Sequence, residues 1–450
     1  MVATSTLSLV HGQTPAKGRW VATWATAVTP RLDVPPPSQN PPAAPAPART
    51  PSASDPQTLP NGEPIPTGGQ SAVHFNNQTI RQIVHTSVGG SKVRVALSNT
   101  FGTSPLVIGA AQIATRDKDS SIVPQSNRVL RFNAIPAPTI PPGATYLSDP
   151  VEMKVRDFTD LAIDLYLPSN TKEMNGPITT HPASWQTEYV STSGNHAGVT
   201  TFPVETTTQY RRADGLVSAT SFFLARVEVL TQGPVIGLAT LGDSITDGTA
   251  SGIDKNQRWP DFLARRLAKA GVRVALMNVG IGGNRILDGG SPSALSRLDR
   301  DVLSQPGITH VIFLEGINDI GGAREKPSPS ADDLIAAHQQ IIDRVRARGL
   351  KIFGATLTPF DGANYFAPEG EAKRQALNNW IRTSNAYDAF FDFDAATRDP
   401  NKPSKARPEF DPGDHLHLTP AGYEAMANAI DLKLFGASGA GSGAKALANQ

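Results

Sequence analysis

The chain has two halves that differ in the spacing of their hydrophobic positions. Between residues 20 and 230, short apolar segments are separated by Gly, Pro, Asn and Asp. In segments 92–97 and 161–167 the apolar residues recur at every second position, as expected for strands with one buried face, and segment 222–229 reads as a third strand. This half therefore predicts an all-β sandwich.

Beyond Gly233-Pro234, apolar segments of strand length alternate with segments of helical spacing. Alternation of this kind predicts an α/β domain in which a parallel sheet carries helices on both faces. The predicted strands are 235–241, 274–279, 311–314, 352–357 and 390–393, and the predicted helices are 259–270, 332–348 and 420–434.

A chain of 450 residues exceeds the size of one ordinary core, so we expect two domains, 20–230 and 231–435. The proline-rich insert 35–66 predicts a solvated, polyproline-like loop. Residues 1–19 are interpreted as a leader that is disordered or the remnant of a signal peptide. The tail 436–450, rich in Gly, Ala and Ser, predicts disorder.

Composition narrows the classes of partner. With 41 Lys and Arg against 40 Asp and Glu the net charge is +1, which gives no field to attract nucleic acid or an anionic membrane. The absence of cysteine excludes disulfides and thiolate chemistry, and no apolar segment has the length of a membrane span. A small-molecule or carbohydrate ligand and a secreted or periplasmic location are the expectations; the sequence carries no signal for an oligomeric state.

Chemistry-bearing residues follow the predicted strands of the second half. In doubly wound sheets the ligand crevice lies outside the carboxyl ends of the strands, so segments that follow strands converge there. These segments are Gly242-Asp243-Ser244, 280–284, 316–319, 358–360 and, after the last strand, 413–417. They supply a hydroxyl, glycines, an amide, carboxylates and imidazoles.

A serine needs a base before it can act as a nucleophile, and the chain has nine histidines. His415 and His417 are the two at the predicted edge. Asp414 favours His417, because in a tight turn a carboxylate at position i reaches the ring of a histidine at i+3. We therefore predict Ser244 as the nucleophile, His417 as its base and Asp414 as the residue that orients the base.

A tetrahedral intermediate needs donors that face its oxyanion. The N–H groups of Ser244 and Gly283 and the side-chain amide of Asn318 are the predicted donors. Taken singly, Gly-Gly-Asn and Gly-x-Asn-Asp are ordinary turns. Their order after successive strands carries the prediction.

The combination resembles the SGNH (GDSL-type) hydrolases. Ser244, Gly283, Asn318 and the pair Asp414 and His417 match the four blocks in the family's order. Segments 19–25 and 79–90 resemble members that carry a β-sandwich (jelly-roll-like) domain before the catalytic one. The resemblance implies a three-layer α/β/α, flavodoxin-like catalytic domain that hydrolyses esters with no metal or other cofactor. His415 departs from the family, which often has glycine there.

Residues next to these motifs are candidates for binding substrate or for ordering their own loops. Asn284, Arg285 and Asp319 are candidates for lining the substrate mouth. Arg285 is equally compatible with a structural salt bridge. Asp319, like Asp243, is equally compatible with ordering its own loop.

Two other functions are compatible with parts of the sequence. Gly242-Asp243, Gly194-Asn195-His196 and His415-Leu416-His417 superficially resemble a metal-dependent phosphoesterase, although Gly194-Asn195-His196 precedes the aspartate segment and lies in the β-rich half. Alternatively the chain is a carbohydrate-binding module with an inactive hydrolase domain. Our hypothesis is a serine esterase for short acyl esters, such as acetyl or aryl esters, because no long apolar lid segment is present.

Overall fold

The structure is a computed structural model that describes residues 18–31, 57–68, 71–174, 176–288, 292–322 and 328–437. Most of the predicted leader, residues 35–56 of the proline-rich insert and the predicted tail from residue 438 onward lie outside the described residues. Within the described ranges, no helix is both long enough and apolar enough to cross a bilayer.

The N-terminal half consists of antiparallel strands, as predicted. They are β1 (Arg19–Ala25), β2 (Thr29–Arg31), β3 (Gln78–His85), β4 (Gly90–Ser98), β5 (Leu106–Val107), β6 (Ala110–Thr115), β7 (Arg128–Val129), β8 (Thr139–Ile140), β9 (Thr145–Leu147), β10 (Val151–Val155), β11 (Asp160–Leu167), β12 (Ile178–His181), β13 (Tyr189–Ser193), β14 (Val204–Thr207), β15 (Gln209–Arg211), β16 (Val217–Ala219), β17 (Ser221–Phe222) and β18 (Leu224–Thr231).

Two large sheets form the β-sandwich. One has the strand order β1-β18-β4-β10, with β9 also paired to β4, and the other has the order β14-β13-β3-β11-β6-β7. Alternate residues of both sheets enter one core, for example Val93 and Val95 of β4 and Ile163 and Leu165 of β11. This alternation is the period-two pattern of the sequence, because successive side chains of a strand point to opposite faces.

The C-terminal half contains a parallel sheet of five strands in the order β20-β19-β21-β22-β23. This is the flavodoxin-like order, in which the direction of winding changes between β19 and β21 and opens a crevice at their carboxyl ends. The strands are β19 (Ile236–Gly242), β20 (Val274–Gly280), β21 (Ile308–Leu314), β22 (Lys351–Ala355) and β23 (Ala389–Phe391).

Helices form a layer on either side of this sheet. In one layer α2 packs against α8 and α8 against α7, and in the other α5 packs against α3 and α6. The predicted α/β/α domain after a β-sandwich is confirmed. The helices are α1 (Ser244–Asp247), α2 (Trp259–Lys269), α3 (Ala294–Leu298), α4 (Ile317–Ile320), α5 (Ala331–Arg346), α6 (Pro368–Thr383), α7 (Phe393–Thr397) and α8 (Pro420–Asn428).

Among the predicted elements whose bounds differ from the structure, three have a clear local cause. The predicted strand 222–229 is split at Phe223, whose φ of 60° turns the chain from β17 to β18. The predicted strand 390–393 ends at Phe391, because Asp392 accepts a hydrogen bond from the Ala395 N–H and caps α7. The predicted helix 420–434 ends at Asn428, and Asp431 caps a separate short turn, Leu432–Phe435.

Strand β1 belongs to both cores. Val21 lies in the sandwich core, whereas Ala22, Ala25 and Ala27 lie in the core of the α/β domain. The Ala22 N–H donates to the carbonyl oxygen of Pro306 at 3.1 Å. Strand β1 therefore packs against both cores, and the predicted domain limits 20–230 and 231–435 stay a prediction.

Candidate functional site

Ser244 is the first residue of the helical turn that follows β19. The Asp243 side chain caps this turn by accepting a hydrogen bond from the Ile245 N–H at 2.8 Å. Gly242 permits the close approach of β21, because a Cβ there would lie 2.5 Å from the Leu314 carbonyl oxygen. Ser244 is 5% exposed, so its hydroxyl lies in a recess at the carboxyl edge of the sheet.

His417 lies against Ser244 and is oriented by Asp414. Its Nε2 is 2.7 Å from Ser244 Oγ, and its Nδ1 is 2.6 Å from Asp414 Oδ2. The other Asp414 oxygen accepts the N–H groups of Leu416 and His417 at 3.1 and 3.0 Å, so the turn fixes its own carboxylate. A continuous line of hydrogen bonds thus runs from the carboxylate to the serine hydroxyl.

Asn318 lies on α4, the helical turn after β21, which is the strand paired with β19. Its Nδ2 donates to the Asn284 carbonyl oxygen at 3.0 Å, and its Oδ1 accepts from the Tyr365 hydroxyl at 3.3 Å. Burial raises the pKa of Tyr365 well above its ordinary value, so the phenol stays neutral and donates. These contacts fix which side of the amide carries the N–H groups.

Gly283 lies on the loop after β20 and has a φ of +71°. A Cβ there would meet no atom within 4 Å, so glycine is required by the backbone conformation and not by crowding. Among the described residues, the N–H groups of Gly283 and Ser244 have no hydrogen-bond partner.

Residues 240–425 match the model of the GDSL-like lipase/acylhydrolase family. The matched segment runs from β19 through α8 and contains all the strand-end residues described above. The α/β domain belongs to this family. The chain is therefore an ester-hydrolysing enzyme, and we call residues 240–425 the GDSL domain.

Solved structures resemble part of the chain at low identity, and no curated protein sequence matches it. A lipase/acylhydrolase from Enterococcus faecalis is 22% identical over 45% of this chain and 96% of its own, with a TM-score of 0.36. A GDSL-like lipase from Bacteroides thetaiotaomicron is 20% identical over 44% and 87%, with a TM-score of 0.33. A Geobacillus acetyl-xylooligosaccharide esterase variant is 21% identical over 45% and 94%, with a TM-score of 0.35.

Arg297 joins the strand ends beneath the GDSL site. Its wholly buried guanidinium donates to the carbonyl oxygens of Gly242 at 3.0 Å and Val279 at 2.6 Å, and to Asn284 Oδ1 at 2.9 Å. Asn284 Nδ2 in turn donates to the Pro292 carbonyl oxygen at 2.9 Å. The Asn284 side chain therefore has contacts that order its own loop, and its contact with substrate stays a prediction.

Asp319 and Arg285 also contact the loops of the site. Asp319 is buried and accepts the N–H groups of Ile286 and Leu287 at 3.0 and 3.1 Å. Arg285 Nε donates to the Asn318 carbonyl oxygen at 3.2 Å. Asp319 thus has the loop-ordering contacts that the sequence left as its alternative, and the substrate contact of Arg285 stays a prediction.

His415 has a left-handed backbone, with a φ of 59°, at the position where the family often has glycine. Its N–H donates to Asp411 Oδ1 at 3.1 Å, and its ring contacts the second Asp411 oxygen. Gly362 packs against this ring, where a Cβ would lie 2.8 Å away. The departure is therefore accommodated by Asp411 and Gly362, and His417 remains the histidine bonded to Ser244.

The alternative function of a metal-dependent phosphoesterase requires side chains that can bind a metal ion. His196 lies beyond β13 in the β-sandwich, where its Nε2 is 3.2 Å from the Ser193 carbonyl oxygen. No group of three or more His, Asp or Glu side chains within the described ranges has an arrangement that could hold a metal ion.

Three buried carboxyl groups lie behind the Ser244 and Asn318 loops. Burial raises the pKa of Asp243 to about 7 and that of Asp319 to about 6, and it raises the pKa of Glu315 well above its ordinary value. Arg297 Nη2 is 3.9 Å from Glu315. The three carboxyls therefore share a region of low polarity in which their protonated forms are favoured.

This burial makes stability depend on pH. Because the folded-state pKa of Asp243, about 7, exceeds its ordinary value of 3.8, the folded protein binds more protons than the unfolded chain between these values. The contribution of Asp243 to the free energy of unfolding is complete below its ordinary pKa of 3.8 and is lost as the pH rises through about 7. A shift of this size is on the order of a few kcal/mol in the free energy of unfolding.

Asp243→Asn should flatten that dependence, since asparagine keeps the acceptor for Ile245 but cannot ionise. Urea unfolding followed by tryptophan fluorescence at acidic and mildly alkaline pH measures the difference. Asp288→Asn, at an exposed carboxylate, is the control and should leave the profile unchanged. An unchanged profile in Asp243→Asn would contradict the assignment.

Proposed function

We propose that this enzyme is a serine esterase that cleaves short acyl esters through an acyl-enzyme on Ser244. The observation that carries the proposal is the 2.7 Å contact between Ser244 Oγ and His417 Nε2, continued at 2.6 Å to Asp414. Asp414 accepts the Nδ1–H, so the neutral tautomer leaves Nε2 free to accept the serine proton.

Acylation begins when Ser244 Oγ attacks the ester carbonyl carbon and His417 Nε2 takes the hydroxyl proton. The new imidazolium is stabilised by Asp414. Collapse of the tetrahedral intermediate breaks the bond to the leaving alkoxide, which receives the proton from His417. The acyl group remains on Ser244 as an ester.

Deacylation repeats these steps with water as the nucleophile. His417 removes a proton from water, and the hydroxide attacks the acyl carbon. The intermediate then expels Ser244 Oγ, which recovers its proton from His417. The carboxylic acid leaves, and the enzyme returns to its starting state.

The oxyanion of both intermediates is placed among three donors. Within the described ranges, the N–H groups of Ser244 and Gly283 have no protein partner, and Asn318 donates one N–H to Asn284, which leaves its second N–H for the oxyanion. The Tyr365 hydroxyl supports this arrangement because it holds Asn318 Oδ1 on the far side of the amide.

The recess around the serine favours a small acyl group. Ser244 is 5% exposed, and His417 and Asn318 are each 7% exposed. Acetyl or aryl esters, including acetyl groups on a carbohydrate, fit a recess of this kind.

An acyl series on p-nitrophenyl esters tests this specificity. We expect kcat/KM to be highest for acetate, to fall at butyrate and to fall by at least about 100-fold at octanoate and palmitate, since we propose that the recess around Ser244 admits only a short acyl group. Higher kcat/KM for palmitate would exclude a short-chain esterase.

Full activity in chelator, with loss of activity in Ser244→Ala, would separate the proposal from a metal-dependent phosphoesterase. Folded protein that hydrolyses no ester would favour the binding-module alternative.

A further inference from the structure

His181 is a buried histidine of the N-terminal half, in a small third sheet of order β17-β12-β2, and it reaches the serine turn of the GDSL domain. It is the last residue of β12, and its side chain is 5% exposed. Its Nδ1 is 2.9 Å from the Ala27 carbonyl oxygen, and its Nε2 is 3.1 Å from Asp247 Oδ1. Asp247 is the last residue of α1, the turn that begins with Ser244.

The two contacts determine the protonation of the ring. A carbonyl oxygen only accepts, so Nδ1 of His181 carries a proton. The proton between Nε2 and Asp247 resides on the imidazole, because histidine is the stronger base. Burial lowers the pKa of His181, but the Asp247 carboxylate and the hydrogen bonds outweigh it, so the net pKa is raised despite nearby Arg258. His181 is thus an imidazolium paired with a buried carboxylate.

Asp247 connects this pair to both sides of the catalytic site. Its N–H donates to the Asp243 carbonyl oxygen at 2.9 Å, within the turn that holds Ser244. Gly280, which leads into the Gly283 loop, packs directly on it, since a Cβ at Gly280 would lie 2.4 Å from the Asp247 nitrogen. A displaced Asp247 would therefore shift the hydroxyl and an oxyanion donor together.

We propose that His181 is a positioning residue for Ser244, through which the N-terminal half of the chain holds the nucleophile of the GDSL domain in place. The inference rests on the proposed role of Ser244 as nucleophile. It makes the N-terminal half a part of the catalytic apparatus, because the contact between His181 and Asp247 crosses from β12 to α1.

If His181 only held the two domains together, its variants would show different kinetics and stability from those of a positioning residue. If His181 only attached the two domains, its loss would lower the unfolding temperature and leave the chemistry of the folded enzyme unchanged. If it positions Ser244, its loss slows the acylation step itself, since a misplacement of about 1 Å costs up to about 100-fold in rate. KM changes little in that case, because His181 does not contact substrate.

The experiment compares His181→Gln, Asp247→Ala and the double variant by kcat and KM for p-nitrophenyl acetate and by the rate of Ser244 phosphonylation. We expect His181→Gln to lower kcat and the phosphonylation rate by about 10- to 100-fold with KM unchanged. The double variant should lose no more than the worse single variant, because both act through one pair. Asp247→Asn, which keeps the acceptor oxygen, should retain more activity than Asp247→Ala.

The matched control is His85→Gln. It breaks a second histidine–aspartate pair, His85 with Asp160 at 2.6 Å, that lies within the β-sandwich. We expect wild-type kcat from this variant. An unchanged phosphonylation rate in folded His181→Gln would overturn the inference. If Ser244→Ala remained active, the proposed function itself would fail, whatever His181→Gln showed.

A measurement on the wild-type enzyme covers the case in which His181→Gln does not fold. Nitrogen-15 NMR of the histidine-labelled protein at neutral pH should show His181 with protons on both ring nitrogens. A neutral His181 ring would contradict the ion pair and overturn the inference without any variant.

Discussion

Replacing Ser244 with alanine is expected to lower kcat for p-nitrophenyl acetate by roughly 10⁴- to 10⁶-fold, because the variant has no atom that can form the acyl-enzyme. Burst-phase release of p-nitrophenol should also disappear. Ser251→Ala, at another buried serine shortly after α1, is the control and should retain activity. Retention of even a tenth of the wild-type kcat in Ser244→Ala would mean that another group carries the reaction.

His417→Ala should cause a loss of similar size, because the serine hydroxyl loses the base that lies 2.7 Å away. The two losses should not add, since serine and base act as one unit. His415→Ala tests the choice between the neighbouring histidines: its ring contacts Asp411, and no hydrogen bond to Ser244 is among its contacts in the described structure. Comparable losses from both histidine variants would contradict that choice.

Asn318→Ala is expected to lower kcat by about 10²- to 10³-fold with a small change in KM, because one donor to the oxyanion is removed. The loss corresponds to about 3 to 4 kcal/mol of transition-state stabilisation. The measurement is steady-state kinetics on p-nitrophenyl acetate, with Asn379→Ala, at an exposed amide of α6, as the control.

Two further variants distinguish the hydrogen-bond donor of Asn318 from the contact that holds its side chain in place. Asn318→Asp keeps the shape but replaces the N–H groups with an acceptor, so its kcat should be no higher than that of Asn318→Ala. Tyr365→Phe removes only the hydroxyl that holds Asn318 Oδ1 and should cost less, about 3- to 10-fold, since the lost hydrogen bond is worth about 1 kcal/mol. A loss in kcat that is equal for Tyr365→Phe and Asn318→Ala would shift the donor role away from the amide.

The GDSL domain and the placement of its strand-end residues follow from local features of the sequence. The predicted strand 235–241 and the observed Ile236–Gly242 differ by one residue at each end. Asp414 and His417 are three residues apart, so their contact is a property of one turn. Ser244 and Asn318 follow neighbouring strands, and the rule for the carboxyl edge of a parallel sheet brings them together.

Tyr365, Arg297 and His181 were missed because their partners are distant in sequence. The Tyr365 hydroxyl reaches Asn318, and Arg297 reaches the ends of β19 and β20. Neither spacing nor periodicity encodes such contacts. Helix α6, Pro368–Thr383, was also missed, although Pro368 at its start and Glu369 and Glu371 in its first turn are ordinary signals of a helix start.

The double packing of β1 has a consequence for biosynthesis. Strand β1 is made before β18, which completes its sheet, but its alanines Ala22 and Ala25 lie in the core of the later α/β domain. Domains fold in order of synthesis, so the nascent sandwich presents an apolar patch until the second half joins it. We therefore expect chains that are cut after residue 231 to associate through β1, and the full chain to gain most from chaperones late in translation.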